Sequence, residues 1–231
     1  QDVIAEFNDN VITREEIREY LNPVYDLERL MSKISCRTAN PRDLLAFRSS
    51  LQMLPYVKDL IKPFNSVLMQ KIYEKLDPLE DIYQLIDSAI VDDPPIVLRE
   101  GGIIKEGYNA QADELRKAKT DGKTWLAGLE EREKEQTGIK NLRVKYNKVF
   151  GYYLEVTNSY KDLVPDNWVR KQTLSNAERY TTEELKNLED VILGAEDKLY
   201  ALEYDLFVDV RDKIASQVMR IQSTAKAGAE K

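Results

Sequence analysis

Hydrophobic residues follow a helical spacing along most of the chain and an alternating spacing in one stretch, residues 139–180. Apolar and polar positions alternate there over residues 142–146 and again over residues 152–156. Strict alternation gives a strand one apolar and one polar face, so both segments are predicted to be β-strands. The residues between them, 147–151, predict a hairpin loop in which Gly151 is free to adopt a positive φ.

A further strand is predicted over residues 168–174 of the same stretch. A turn at Ser175 and Asn176 follows it, and the chain then returns through Ala177 to Tyr180. The alternating stretch therefore predicts a small antiparallel sheet inside a chain that is otherwise helical.

Long helices are predicted on both sides of this sheet. Residues 109–137 contain no proline and end before Gly138, a residue type favoured immediately after a helix. From Leu185 to Leu206, apolar residues recur at alternating steps of three and four, the spacing of a coiled-coil seam. The simplest packing is an antiparallel helix pair that carries the sheet at its tip. An ordinary helical bundle, with the sheet covering one end, is the alternative that the pattern leaves open.

Proline separates the first part of the chain from the rest. Seven of the eight prolines precede residue 96, and only Pro165 follows it. Because proline interrupts helices, the first part is predicted to be a helical core of several short helices. The three apolar residues at 96–98 predict a short strand after it. The predicted fold class is mainly α with a small inserted antiparallel β domain.

The charge of the predicted sheet is opposite to that of the rest of the chain. The chain carries 34 Lys and Arg against 41 Asp and Glu, a net charge of −7. Residues 138–180 hold eight basic and four acidic residues, a net of +4, which leaves −11 for the remainder. A basic patch on an acidic protein indicates nucleic-acid binding. Lysines that protect the exposed edges of a small sheet are the structural alternative.

The composition also excludes several chemistries. The chain has no histidine, which removes Ser–His and Cys–His catalysis and the commonest zinc ligand. The single cysteine, Cys36, cannot form an internal disulfide and fits a reducing, cytoplasmic location. No apolar run approaches the length of a membrane span. Residues 102–107 and 117–124 each match only part of a phosphate-binding loop, so no nucleotide site is predicted.

Two segments of the predicted sheet closely resemble the clamp domain of the bacterial mismatch-repair MutS family. They are Tyr-Asn-Lys-Val-Phe-Gly-Tyr-Tyr at 146–153 and Arg-Lys-Gln-Thr-Leu-Ser-Asn-Ala-Glu-Arg-Tyr at 170–180. Shorter segments resemble the core and lever of that family, so the resemblance covers nearly the whole chain: 25–30, 38–44, 101–104 and 107–109. The resemblance implies four parts: a helical core (1–107), an outgoing lever helix (108–137), a β clamp domain inserted in the lever (138–180) and a return lever helix (181–231).

The resemblance implies that the chain is a fragment that contacts the backbone of double-stranded DNA without reading its sequence. The family's Phe-x-Glu wedge does not occur in this chain, so mismatch reading is expected elsewhere in the parent protein. The parent is expected to be a homodimeric, DNA-dependent ATPase that uses ATP and Mg²⁺. The fragment itself is expected to have no catalytic residue, cofactor or metal, and no membrane partner.

DNA backbone contacts are expected at the turns of the clamp sheet. Asn176 lies in the family's Asn-Ala-Glu-Arg-Tyr motif, and the resemblance implies a DNA-contact role for it. Amide, hydroxyl and ammonium groups in turns can also donate to phosphates, which adds Asn147, Lys148, Gln172, Thr173 and Ser175. Lys161, Arg170 and Lys171 are predicted on charge alone, whereas Arg179 beside Glu178 is expected to be structural.

Two alternatives come from other functional classes. A helical-hairpin interaction module would bind a protein through its β tip, and DNA would not compete with that binding. An enzyme that uses carboxylates alone could draw on the pairs Glu183/Glu184 or Asp92/Asp93, although these residues also suit a helix start and a turn.

Overall fold

The computed structural model describes the backbone of residues 11–229 and, without a gap, the side chains of residues 25–227. The chain divides into two compact units, one made of residues 1–108 and 202–231 and the other of residues 109–201. The described residues are mainly helical, with one four-stranded antiparallel sheet, as the fold class predicted. The division into core, two levers and clamp stays a prediction.

In chain order, the helices of the described residues are α1 Val11–Ser35, α2 Pro41–Gln52, α3 Leu54–Ile61, α4 Val67–Lys75, α5 Glu80–Ala89, α6 Ala110–Thr137, α7 Glu183–Ala215 and α8 Val218–Ala229. The strands are β1 Arg143–Asn147, β2 Gly151–Thr157, β3 Val169–Thr173 and β4 Ala177–Thr181. Short 3₁₀ helices cover Leu98–Glu100 and Asn158–Leu163.

The proline-rich part contains one long helix as well as short ones. Pro23 lies inside the 25-residue helix α1, so the expectation of short helices alone is wrong. An internal proline removes one helical hydrogen bond. The turns that follow it bury Leu27, Leu30 and Ile34 almost completely in the core, and this burial outweighs the loss.

The strand predicted at 96–98 is also wrong. Ile96 and Val97 are 80% and 52% exposed, and the chain turns into the 3₁₀ helix Leu98–Glu100. The β-type contact in this region is an isolated antiparallel bridge between Ile90 and Ile104. A run of apolar residues forms a strand only where a neighbouring strand can pair with it. The hydrophobicity of residues 96–98 was therefore not sufficient to predict a strand.

In the second unit, α6 packs antiparallel to the first part of α7. Arg132 donates to Glu184 at 2.6 Å near the end of α6, whereas Lys119 pairs with Glu196 at 3.5 Å farther back. The helix α6 begins at an Asn109 cap and ends at Gly138, whose φ of +76° stops it as predicted.

The sheet packs one face on this helix pair. Its strand order is β1-β2-β4-β3, with every neighbour antiparallel. Leu154 and Tyr180 from the sheet share one buried cluster with Leu126 of α6 and Ile192 of α7. Tyr153 precedes Leu154 on β2 and therefore lies on the opposite face of the sheet. It is nevertheless buried, because the Arg179 guanidinium covers its ring at 4.5 Å.

Candidate nucleic-acid interface

The hairpin between β1 and β2 is closed by the side chain of Asn147. Its Oδ1 accepts hydrogen bonds from the backbone N–H groups of Val149, at 2.7 Å, and Phe150, at 3.3 Å. Gly151 adopts the predicted positive φ, +76°. The Asn147 oxygen is therefore engaged within the turn, whereas Lys148 is exposed.

Contacts from outside the turn hold the same hairpin in place. The backbone N–H of Tyr152 donates to the Glu189 carboxylate of α7 at 2.6 Å. Lys171 of β3 donates from Nζ to the Phe150 carbonyl at 2.7 Å. The hairpin is thus fixed both to the helix pair and to the far edge of the sheet.

The turn between β3 and β4 is fixed by Asn158, which follows β2. Asn158 donates from its backbone N to the Asn176 carbonyl at 3.1 Å and from Nδ2 to the Ser175 carbonyl at 3.0 Å. These bonds use backbone oxygens, and Thr173, Ser175 and Asn176 remain exposed. Lys161, also exposed, lies in the 3₁₀ helix that begins at Asn158.

The strand register places these two turns at opposite ends of the sheet. Asn147 pairs with Gly151 at the start of β2, and Ala177 pairs with Thr157 at its end. A strand of seven residues spans about 20 Å. The predicted contact residues therefore form two groups, with Asn147 and Lys148 at one end and the residues of the β3–β4 turn at the other.

Four of the predicted contact residues lie on β3, and all of them except the exposed Thr173 have side chains engaged within the sheet. Arg170 pairs with Glu178 at 3.7 Å, and Gln172 accepts a hydrogen bond from Arg179 at 2.8 Å. Lys171 falls in a β-bulge between Arg170 and Gln172, which re-aims its side chain towards Phe150. These contacts stabilise the edge strand. They also leave fewer of its side-chain N–H groups free to donate to a ligand.

Ion pairs neutralise several other cations of the sheet. Lys145 pairs with Glu155 at 2.8 Å, and Arg143 with Glu130 at 3.6 Å. Lys148 and Lys161 have no ion pair within residues 25–227. Lys140, which is not among the predicted contact residues, is likewise exposed and lies in the same basic stretch.

The surroundings of Glu155 and Tyr180 in the sheet shift the pKa values of both side chains. The hydrogen bond from Lys145 lowers the pKa of Glu155, burial opposes that shift, and Arg179 adds to the lowering. Burial, together with a hydrogen bond to Glu178, raises the pKa of Tyr180 to about 12. Both shifts move the pKa farther from neutral pH, and they strengthen the ionised state of Glu155 and the neutral state of Tyr180.

One member of each carboxylate pair named above has a local basic partner. Glu184 accepts from Arg132 at 2.6 Å, and Asp92 lies 3.4 Å from Arg48 and 3.7 Å from Lys105. Within the part of the chain that the structure describes, no cluster of acidic or cysteine side chains could hold a metal ion. Among the described helices, none is long and apolar enough to cross a bilayer.

An antiparallel helix pair interrupted by a basic four-stranded sheet defines a class of mainly helical proteins with an inserted β domain. Within this class, residues 107–198 match the model of MutS family domain IV. The chain is 68% identical over 228 residues to the DNA mismatch repair protein MutS of Lachnoclostridium phytofermentans, an alignment that covers 99% of this chain and 24% of that protein.

Two further relatives carry the same name. The protein of Caldanaerobacter subterraneus subsp. tengcongensis is 56% identical over 225 residues, covering 97% of this chain and 26% of its own length. That of Acetivibrio thermocellus is 53% identical over 226 residues, covering 98% and 26%. The chain belongs to the MutS family, and it spans about a quarter of the length of the curated relatives it matches. The resemblance seen in the sequence is confirmed, and these relatives give no support to an interaction module.

Proposed function

We propose that the sheet contacts the sugar–phosphate backbone of double-stranded DNA, without reading sequence, as part of a mismatch-repair protein. The observation that carries this proposal is the β3–β4 turn. Thr173 is exposed at the end of the basic strand β3, and Ser175 and Asn176, which follow that strand, are exposed as well. The relatives are named DNA mismatch repair proteins, which gives the ligand class.

The chemistry of this turn suits phosphate better than bases. Hydroxyl and amide groups donate to phosphate oxygens, and an unpaired lysine such as Lys161 adds a favourable charge interaction. The two bonds from Asn158 hold the turn before any ligand arrives, so binding costs little ordering entropy. Phosphate contacts position a protein on DNA and carry no sequence information.

The other functions of the family are proposals for the whole protein. We assign mismatch reading, ATP binding and hydrolysis with Mg²⁺, and homodimer formation to that protein, and backbone contact alone to this chain. Asn147 and Lys148 lie at the other end of β2, so a part in the same duplex contact stays a prediction for them.

Fluorescence anisotropy of a labelled duplex tests the proposed contact in low salt, since the −11 charge of the remaining residues opposes binding. Each phosphate contact contributes about −0.9 to the slope of log K against log salt, so a few contacts give roughly −3 to −5. We expect Lys161→Gln to reduce the magnitude of this slope by about 1, and Asn176→Ala to weaken binding equally for unrelated sequences.

Lys62→Gln is the matched control, because Lys62 is also an exposed lysine but lies in the other unit. We expect its slope and affinity to equal those of the unaltered chain. If Lys161→Gln and Asn176→Ala both bind as the unaltered chain does, the duplex is contacted by another surface and the assignment of the β3–β4 turn fails.

A further inference from the structure

The aromatic residues of the sheet divide into a buried set and an exposed set. Tyr153, Trp168 and Tyr180 are at most 7% exposed and form the structural core of the sheet. Tyr146 and Phe150, both on the β1–β2 hairpin, are 48% and 39% exposed, and Val149, which lies between them in the sequence, is 82% exposed. The exposed aromatic surface of the sheet thus lies on the hairpin, at the end opposite the β3–β4 turn.

Phe150 is held in position by contacts on both sides of its backbone. Its N–H donates to Asn147, and its carbonyl accepts from Lys171. Tyr146 packs against Tyr152, with 4.9 Å between the ring centroids. The ordered backbone at Phe150 and the packed ring of Tyr146 reduce the conformational entropy that is lost when a flat ligand binds.

Two lysines lie beside these exposed rings, and the Glu189 carboxylate that accepts from Tyr152 lies at the same hairpin. Lys148 is exposed, occupies the turn itself and has no ion pair within residues 25–227. The Lys171 ammonium lies 2.7 Å from the Phe150 carbonyl. Aromatic side chains beside cations are the combination that binds single-stranded nucleic acid, because bases stack on the rings while phosphates contact the cations.

We infer that the β1–β2 hairpin is a second DNA site, which takes unpaired bases on Phe150 and Tyr146 and a neighbouring phosphate on Lys148. In an intact duplex each base face is covered by its neighbours, so the exposed rings select strands whose bases are unstacked. The site is separate from the duplex contact of the β3–β4 turn, and each can fail without the other.

Anisotropy with a labelled single-stranded oligonucleotide of mixed sequence, in low salt, tests this inference on the whole chain. Stacking of one base predicts that Phe150→Leu weakens single-strand binding by about fivefold or more, because leucine keeps the apolar volume and removes the ring. Lys148→Gln should reduce the salt slope by roughly 0.7 for a single strand. A closed-circular duplex, which has no ends, should bind Phe150→Leu as tightly as the unaltered chain.

Tyr25→Leu is the matched control, because Tyr25 is a 43% exposed tyrosine of the other unit. We expect its single-strand affinity to be unchanged. Photocrosslinking of a bromodeoxyuridine oligonucleotide to the unaltered chain gives a readout that needs no variant. Crosslinks should fall in the tryptic peptides 146–148 and 149–161, which cleavage after Lys145, Lys148 and Lys161 produces.

Three results would overturn the inference. The first is a single-strand affinity that Phe150→Leu leaves unaltered, and the second is crosslinks confined to other peptides. The third is the absence of single-strand binding in low salt, accompanied by self-association that Phe150→Leu abolishes. That third result would assign the hairpin to a second copy of the chain.

Discussion

The side chain of Ile192 on α7 fills the space in which a Cβ on Gly122 of α6 would lie. A Cβ built there would stand 2.5 Å from Ile192 Cγ1, well inside van der Waals contact. The absence of a side chain at Gly122 therefore lets the two helices approach closely where they pack beneath the sheet.

Gly122→Ala is expected to lower the free energy of unfolding of this unit by about 1–3 kcal/mol, because the new methyl overpacks the helix contact. Gly128→Ala is the matched control on the same helix, where a Cβ would meet nothing within 4 Å. It should raise stability by about 0.5–1 kcal/mol through helix propensity alone. Urea unfolding followed by tryptophan fluorescence reports this unit, since Trp125 and Trp168 both lie in it. Equal effects of the two substitutions would contradict the packing role of Gly122.

Gly151→Ala is expected to destabilise the sheet more than Gly138→Ala. Both glycines have a φ of +76°, so each substitution costs about 1–2 kcal/mol of backbone strain. A Cβ on Gly151 would also overlap the Glu189 carboxylate, whereas at Gly138 the nearest atom is 3.9 Å away. Displacing Glu189 breaks its bond to Tyr152, which adds about 1.5–3 kcal/mol.

A double-mutant cycle isolates the contribution of Glu189 to that difference. In a Glu189→Ala background, Gly151→Ala and Gly138→Ala should cost nearly the same, because the clash and the hydrogen bond are both absent. An excess cost for Gly151→Ala that persists in this background would show that Glu189 is not its cause.

The stability of the second unit should fall in acid partly through Glu155. The pKa of Glu155 is lowered from its ordinary 4.5, first by the hydrogen bond from Lys145. A carboxyl whose folded pKa is depressed contributes its full stabilisation above the unfolded value, and that contribution is lost as pH falls through the folded pKa. Glu155→Gln should therefore lower the free energy of unfolding at pH 7. It should also make that free energy fall less steeply as the pH drops below 4.5. Glu135→Gln, at an exposed position of α6, should leave the unfolding profile unchanged.

Glu203→Ala should destabilise the first unit by roughly 2–5 kcal/mol, because it removes a buried acceptor from two backbone donors. The carboxylate, 1% exposed, accepts from Gly102 N at 2.9 Å and Ile104 N at 3.1 Å. Hydrogen exchange should accelerate at these two amides first. Asp205→Ala, two residues farther along α7 at an exposed position, should alter neither exchange nor stability. Unchanged protection of Ile104 in Glu203→Ala would contradict this role.

Some local features of the sheet and helices could be predicted from neighbouring residues. The alternation over 142–146 and 152–156 identified β1 and β2, and Gly151 takes the positive φ that the hairpin demanded. Gly138 ends α6 for the same reason. At Pro23 a local rule failed, because the helix there is stabilised by core burial that a short window of sequence does not contain.

Contacts between distant residues escaped prediction. Glu189 lies 37 positions from Tyr152, and Glu203 lies 101 from Gly102, so no periodicity joins either pair. The sequence also did not predict that the candidate contact residues form two groups at opposite ends of the sheet. The register of β2 with β4, which separates the two turns, depends on which strands become neighbours in the folded sheet.

The sequence by itself determined the types of element in the second unit, the glycines that bound its helix α6 and its first hairpin, the basic character of the sheet and the family. Each of these depends on backbone preferences or charges that act over a few residues, or on the identity of the residues themselves. Only the tertiary structure decided that Lys171 and Gln172 are engaged within the sheet, and that Lys148 and Lys161 stand exposed at different ends of it. A polar side chain is available to a ligand only if folding brings it no partner, and that outcome depends on strand register and helix packing.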